Sequence, residues 1–162
     1  MSKNIYSEFN ALSLEGIRLL NILLKHLEDE LKALSERDLE KIKLSTFKKT
    51  QILTEFSSNT ELRNTLLNSK KLQPNKENIT TFITSCPDKT LADECKSNWD
   101  ALETILNNVI KANTVNEHVV KKNKNSVSTI LDILQGKTKN NMLYNAKGDK
   151  GDYSGQSRLG KA

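Results

Sequence analysis

Few residues of this sequence could do chemistry: Cys86, Cys95, His26, His118 and a run of carboxylates at Glu28, Asp29 and Glu30. A zinc site needs Cys or His ligands in close pairs, and neither cysteine has a second cysteine or a histidine at such a spacing. Both read as reduced structural thiols. The two histidines fall on predicted helices without the partners that make a metal site or a nucleophile and its base, so they read as surface or boundary residues. The three carboxylates adjoin one another rather than facing across a cleft, which is the pattern of a solvated helix face and implies no acid/base pair. Gly148, Gly151 and Gly155 surround Asp149 and Lys150. A phosphate loop needs a strand before it and a helix after it, and neither is predicted. We therefore expect no catalytic residue, no metal site and no cofactor, and a protein that works by binding rather than as an enzyme.

The elements that must present such a binding surface are helices. A length of 162 residues suits one domain, or a smaller helical core with a tail. With 36% hydrophobic and 28% charged residues, the chain suits helices that each bury one stripe better than a thick globular interior. The prolines, Pro74 and Pro87, lie mid-chain, and five of the six glycines stand at Gly136 or later. The stretches between lack helix breakers. The predicted fold is all-α, an elongated antiparallel helical bundle or coiled-coil hairpin with long N- and C-terminal helices. Its helical domain spans residues 1–135, and a flexible, basic, Gly/Lys-rich tail spans 136–162.

The tail also explains the charge. Six Lys or Arg against two Asp after residue 135 supply four of the five net positive charges, leaving the helical part at +1. A nucleic-acid binder gathers its cations on a folded face beside stacking aromatics, and no such cluster occurs. The first residues lack the apolar core of a secretory signal, and no apolar run of about 18 residues is present, so a soluble, cytoplasmic protein without membrane insertion is expected.

Ile17, Leu20, Leu24, Leu27, Leu31 and Leu34 are spaced by three and four and share one stripe, widened by Leu19 and Leu23. Ile5, Phe9 and Leu12 extend it upstream to a start near Asn4, with Gly16 weakening the helix by up to about 1 kcal/mol. Ser35 and Asp38 resemble a capping box, so the spacing allows a break near Ser35 or one continuous helix; Leu39, Ile42, Thr46, Lys49, Leu53 and Phe56 then carry a weaker stripe. Ser57–Thr60 reads as polar punctuation before a short helix at Leu62, Leu66 and Leu67. From Gln73 to Lys89 a loop is predicted, holding at most a short turn of helix around Ile79 to Ile83.

The last helix is predicted from about Thr90 to Gln135, closed by Gly136. Trp99, Leu102, Leu106, Val109, Asn113, Asn116, Val120, Asn123, Val127, Ile130 and Leu134 alternate spacings of three and four, a sustained coiled-coil-like seam. A buried Asn in such a seam restricts register or partner, because its amide needs a polar group to meet it. The seam is either covered throughout by the first helix or left open in its C-terminal half to accept an amphipathic partner helix. The three asparagines after Val109 favour the open reading, since they make a poor core but a workable reversible interface.

Several landmarks in order resemble the FlgN family of flagellar type III export chaperones. Leu31-x-x-Leu34, Arg37-Asp38, Lys49 and Ile52-Leu53 look like its first helical pair. Trp99 with Leu102, Asn113-x-x-Asn116 before Val119-Val120, Leu131-Asp-Ile-Leu134, Leu143-Tyr144-Asn-Ala-Lys-Gly148 and the basic end Arg158-Leu-Gly-Lys-Ala162 carry the more specific likeness. Family members often have glycine after the second asparagine, where this chain has Glu117. The resemblance implies a chaperone that holds the hook-filament junction proteins FlgK and FlgL unassembled in the cytoplasm before export. It implies client contact through the C-terminal helix, here Asn113, Asn116, Val120, Val127, Ile130, Leu131 and Leu134. It also implies docking on the export gate protein FlhA through Tyr144, and contact with the export component FliJ. The alternatives are another helical export chaperone of the FliT type, or a structural coiled-coil adaptor.

Overall fold

The computed structural model describes residues 5–134, 142–144 and 150–152. Four helices, α1 (Ile5–Glu36), α2 (Leu39–Ser69), α3 (Lys76–Thr84) and α4 (Lys89–Leu134), are followed by two three-residue strands, β1 (Met142–Tyr144) and β2 (Lys150–Asp152). The chain divides into two units, Met1–Val120 and Lys121–Ala162, and α4 contributes to both.

In the first unit, α1 begins where the Ile5–Phe9 spacing places it. The break after it lies at Arg37–Asp38 rather than Ser35, which stays helical and donates its hydroxyl to Leu31 O at 2.9 Å. Arg37 adopts a left-handed φ of 56°, with Asp38 N bonded to Ala33 O at 3.0 Å and Arg37 N to Leu34 O at 3.3 Å. These two bonds satisfy carbonyls that a helix end leaves orphaned. Asp38 then caps α2 by accepting from Lys41 N at 3.1 Å. Lys71, at φ 59°, closes α2 in the same way, with Leu72 N on Leu67 O at 3.1 Å.

Helix α2 runs unbroken through Ser57–Thr60, where the sequence predicts a punctuation. Asn59 is the reason: it is buried and donates Nδ2 to Leu12 O at 3.0 Å, so this polar stretch faces α1 instead of breaking the helix. The inner face of α2 is also not the apolar stripe expected. Leu39 and Leu53 are exposed, whereas Ser45, Asn59 and Arg63 are buried. Small residues let the two helices approach closely. Ser13, Gly16 and Ser45 are buried, and a Cβ on Gly16 would lie 2.6 Å from Arg63 Nη1 and 3.0 Å from Leu102 Cδ1. Gly16 thus permits the helix packing, whereas its sequence suggests only a weak point in the helix.

Cross-helix bonds fix directions. Lys49 meets Glu30, Ser45 meets His26 and Asn59 meets Leu12, so α2 runs antiparallel to α1. Cys95 meets Tyr6, Asn98 meets Asn10 and Asn116 meets Leu27, so α4 runs parallel to α1. Helix α3, capped by Asn75, replaces most of the predicted loop and buries Ile79, Phe82 and Ile83. Phe9, Leu67 and Cys95 join these three in one core cluster, while Leu20, Leu23, Leu27, Leu102 and Val109 form a second. Trp99 packs against both.

In the second unit β1 and β2 pair antiparallel, Met142 opposite Asp152 and Tyr144 opposite Lys150. The sequence predicts no strand there. The expected cap Gly136 and the rest of the predicted tail lie outside the described residues.

Candidate partner interface

The seam of α4 changes character along its length. Leu102 and Val109 are buried against α1, and between them Ile105 supplies the packing contact while Leu106 is 36% exposed. At Asn116 the apolar stripe gives way to a polar clamp. Asn116, 4% exposed, donates Nδ2 to Leu27 O at 2.9 Å and to Glu30 Oε2 at 2.7 Å. Glu30 is itself buried and accepts Lys49 Nζ at 2.9 and 3.2 Å. One carboxylate therefore ties α1, α2 and α4 together at a fixed register, because any slip would leave a buried charge and a buried amide unpaired.

Glu30 corrects the expectation of a uniformly solvated carboxylate run: Glu28 and Asp29 are exposed, and only Glu30 turns inward. The α1 spacing carried the signal, since Glu30 lies three residues after Leu27 and four before Leu34. Asn116, expected among client-contacting residues, occupies a core position in the free chain. Asn113 is half-buried and donates to Glu117 Oε1 at 2.7 Å on its own helix. The departure from glycine at position 117 thus supplies a partner for the first asparagine of the motif.

Beyond the clamp the stripe is uncovered. Val120, Val127, Ile130, Leu131 and Leu134 are 50%, 57%, 56%, 49% and 77% exposed. At 100° per residue these five fall within an arc of about 100° on one side of α4. Val120 closes the first unit, and Val127, Ile130, Leu131 and Leu134 lie in the second. The arc is aliphatic and exposed, and the chemistry of such a seam is that of covering an apolar helix. Tyr144 lies in β1, and its side chain is outside the described residues.

The other sequence candidates do not assemble into a site. His26 is half-buried, His118 is exposed, and Cys86 and Cys95 are buried free thiols. Burial, reinforced by Cys86 and Glu94, raises the Cys95 thiol to about 11. Among the described residues no group of three His, Cys, Asp or Glu side chains could hold a metal ion. No described helix is long and apolar enough to cross a membrane.

A crystal structure described as a flagella synthesis protein FlgN of Pseudomonas aeruginosa superimposes with a TM-score of 0.65 at 22% identity, covering 83% of this chain and 99% of that one. It shows that the helical fold is shared. No curated protein matches the sequence. The family described as FlgN protein matches residues 1–151. That span takes in the helices, the polar clamp and the uncovered end of α4, and on this match the chain is a member of the FlgN family.

Proposed function

We propose that this chain is a cytoplasmic flagellar export chaperone that covers the C-terminal helical segments of the hook-filament junction proteins FlgK and FlgL and delivers them to the export gate. The observation that carries the reading is the uncovered apolar arc of α4 from Val120 to Leu134 in a FlgN-family chain. Fully burying one such aliphatic side chain is worth about 1.5–3 kcal/mol, so completing the burial of these half-exposed residues supplies about 1 kcal/mol each. The client's own apolar face, buried in the same contact, adds a comparable amount, and ordering a disordered client segment takes about 2–5 kcal/mol of the total. The surplus is small enough for the client to be released at the gate. Val120, Val127, Ile130, Leu131 and Leu134 make the client contacts, and Asn113 and Asn116 set where the client surface begins. Tyr144 serves docking on FlhA, and FliJ is a further contact.

Calorimetric titration with the C-terminal segments of FlgK and FlgL, with the filament-cap protein FliD as control, tests the proposal. Binding to the first two and not the third is expected. Charged residues at Val127 and Leu131 should abolish it with the helical circular dichroism retained, and Tyr144→Ala should leave it nearly unchanged while weakening FlhA binding. Binding to none of the three would replace this reading with a structural coiled-coil adaptor, and binding to FliD alone with a FliT-type chaperone.

A further inference from the structure

Asn116 shows what the amide of a seam asparagine needs once a helix covers it. Its Nδ2 donates to both Leu27 O and Glu30 Oε2, and the same carboxylate accepts Lys49 Nζ. A backbone carbonyl and, one turn further along the covering helix, a carboxylate thus satisfy the amide, and a lysine balances the charge. Asn123 follows Asn116 by one heptad in the sequence of the seam and belongs to the second unit. Among the described residues its side chain has no hydrogen-bond partner. At 100° per residue Asn123 projects between Ile130 and Leu134, about 20° from each, so it stands inside the exposed aliphatic arc. Lys124 borders that arc about 20° beyond Leu131. Lys121 and Lys122 precede it, and no carboxylate occurs between Glu117 and Asp132. None of the ion pairs among the described residues includes these three lysines. This part of α4 is therefore an aliphatic face that holds one amide and is bordered by uncompensated positive charge.

We propose that the helix received by this arc carries a carboxylate within its own apolar stripe, opposite Asn123, where the Asn123 amide and the Lys124 ammonium donate to it. The inference rests on the reading of the arc as the client surface, and it names the feature that distinguishes a client. A wholly aliphatic stripe laid on Val127, Ile130 and Leu134 would strip water from the Asn123 amide and return nothing to it beyond a backbone carbonyl. A cationic residue at that level would be repelled by Lys124, and a neutral amide would leave the lysine without a counter-charge. An acidic residue answers both needs. Because a shift of one turn would separate it from Asn123, the same contact sets the register of the client.

The test titrates the full chain, by calorimetry, with a synthetic amphipathic peptide of about 18 residues, or five helical turns, whose leucine stripe carries one central Glu, and with its Gln twin. Expected is binding of the Glu peptide about tenfold tighter than that of the Gln peptide, the scale of one hydrogen bond to a charged group. Asn123→Leu should remove the preference, Lys124→Gln should reduce it, and Val127→Lys should abolish binding of both peptides, which locates them on the arc. Equal affinity of the two peptides for the unaltered chain, a preference that survives Asn123→Leu, binding that survives Val127→Lys, or no binding of either peptide would overturn the proposal. Neither peptide contains a flagellar client sequence, so the two readings fail separately. Preference for the Glu peptide without binding of FlgK or FlgL would remove the client assignment alone, and binding of FlgK and FlgL with equal affinity for the two peptides would remove the carboxylate alone.

Discussion

Replacing Arg63 with Met should stabilise the protein, and the size of the effect follows from the surroundings of the guanidinium. Burial lowers its pKa from the ordinary arginine range to about 10, so the folded state holds this proton less tightly than the unfolded chain does. At about 1.4 kcal/mol per pH unit that difference amounts to a penalty on the order of 3 kcal/mol. The hydrogen bond to Thr60 offsets about 1 kcal/mol of it, and the two ring contacts offset roughly 0.5–1 kcal/mol each. A methionine of similar reach keeps the packing against Phe56 and Trp99 without the charge, leaving an expected gain of about 1 kcal/mol. Urea unfolding followed by far-UV circular dichroism measures it. The pH dependence carries a sign. Above about pH 10, up to the ordinary arginine range, the unfolded chain binds more protons at this position than the folded one, so the unaltered protein gains stability there relative to the variant. The advantage of Arg63→Met is therefore full below pH 10 and shrinks above it. A variant less stable than the parent by about 1 kcal/mol or more would show that Arg63 is satisfied by its contacts, and would refute the account of an unpaired charge.

The clamp gives a second test: Glu30→Ala leaves Asn116 and Lys49 without their shared acceptor and should lose about 2–3 kcal/mol, discounted from the fully buried case because the Lys49 side chain is 22% exposed. Glu30→Ala and Lys49→Ala should be non-additive in a double-mutant cycle, and simple additivity would mean the groups do not act as a unit. Lys71→Gly relieves a left-handed backbone at φ 59° and should raise stability by about 0.5–1 kcal/mol; a loss in denaturant unfolding would show that the Lys side chain contributes more than the strain. Cys95 is fully buried with its thiol raised to about 11, so at neutral pH an aromatic disulfide reagent should label it only after denaturation. Labelling of the native protein at the rate of the denatured one would show that the cluster around Phe9 and Phe82 opens readily.

Spacing in the sequence was enough to determine that α1 and α4 exist and which stripe of each is apolar, because leucines at three and four residues apart can bury together only on a helix. It also carried the family likeness, through Trp99, Asn113-x-x-Asn116 and Leu143-Tyr144. Within the candidate interface, the residues from Val120 to Leu134 were legible as one face, but their exposure was not, since a stripe facing a partner and a stripe facing the core have the same period. The register of α1 and α4 within the first unit follows from the pairing of Leu27 and Glu30 with Asn116, residues far apart in the chain. The inner face of α2 was the least legible element. Ser45, Lys49, Asn59 and Arg63 read as solvent-facing by type, and they turn inward because Gly16 lets the helices approach and because partners on α1 receive most of their polar atoms. Local sequence sets the apolar stripes of α1 and α4. Which polar residues lie inside is decided by contacts between segments distant in the chain, and only the folded structure specifies those.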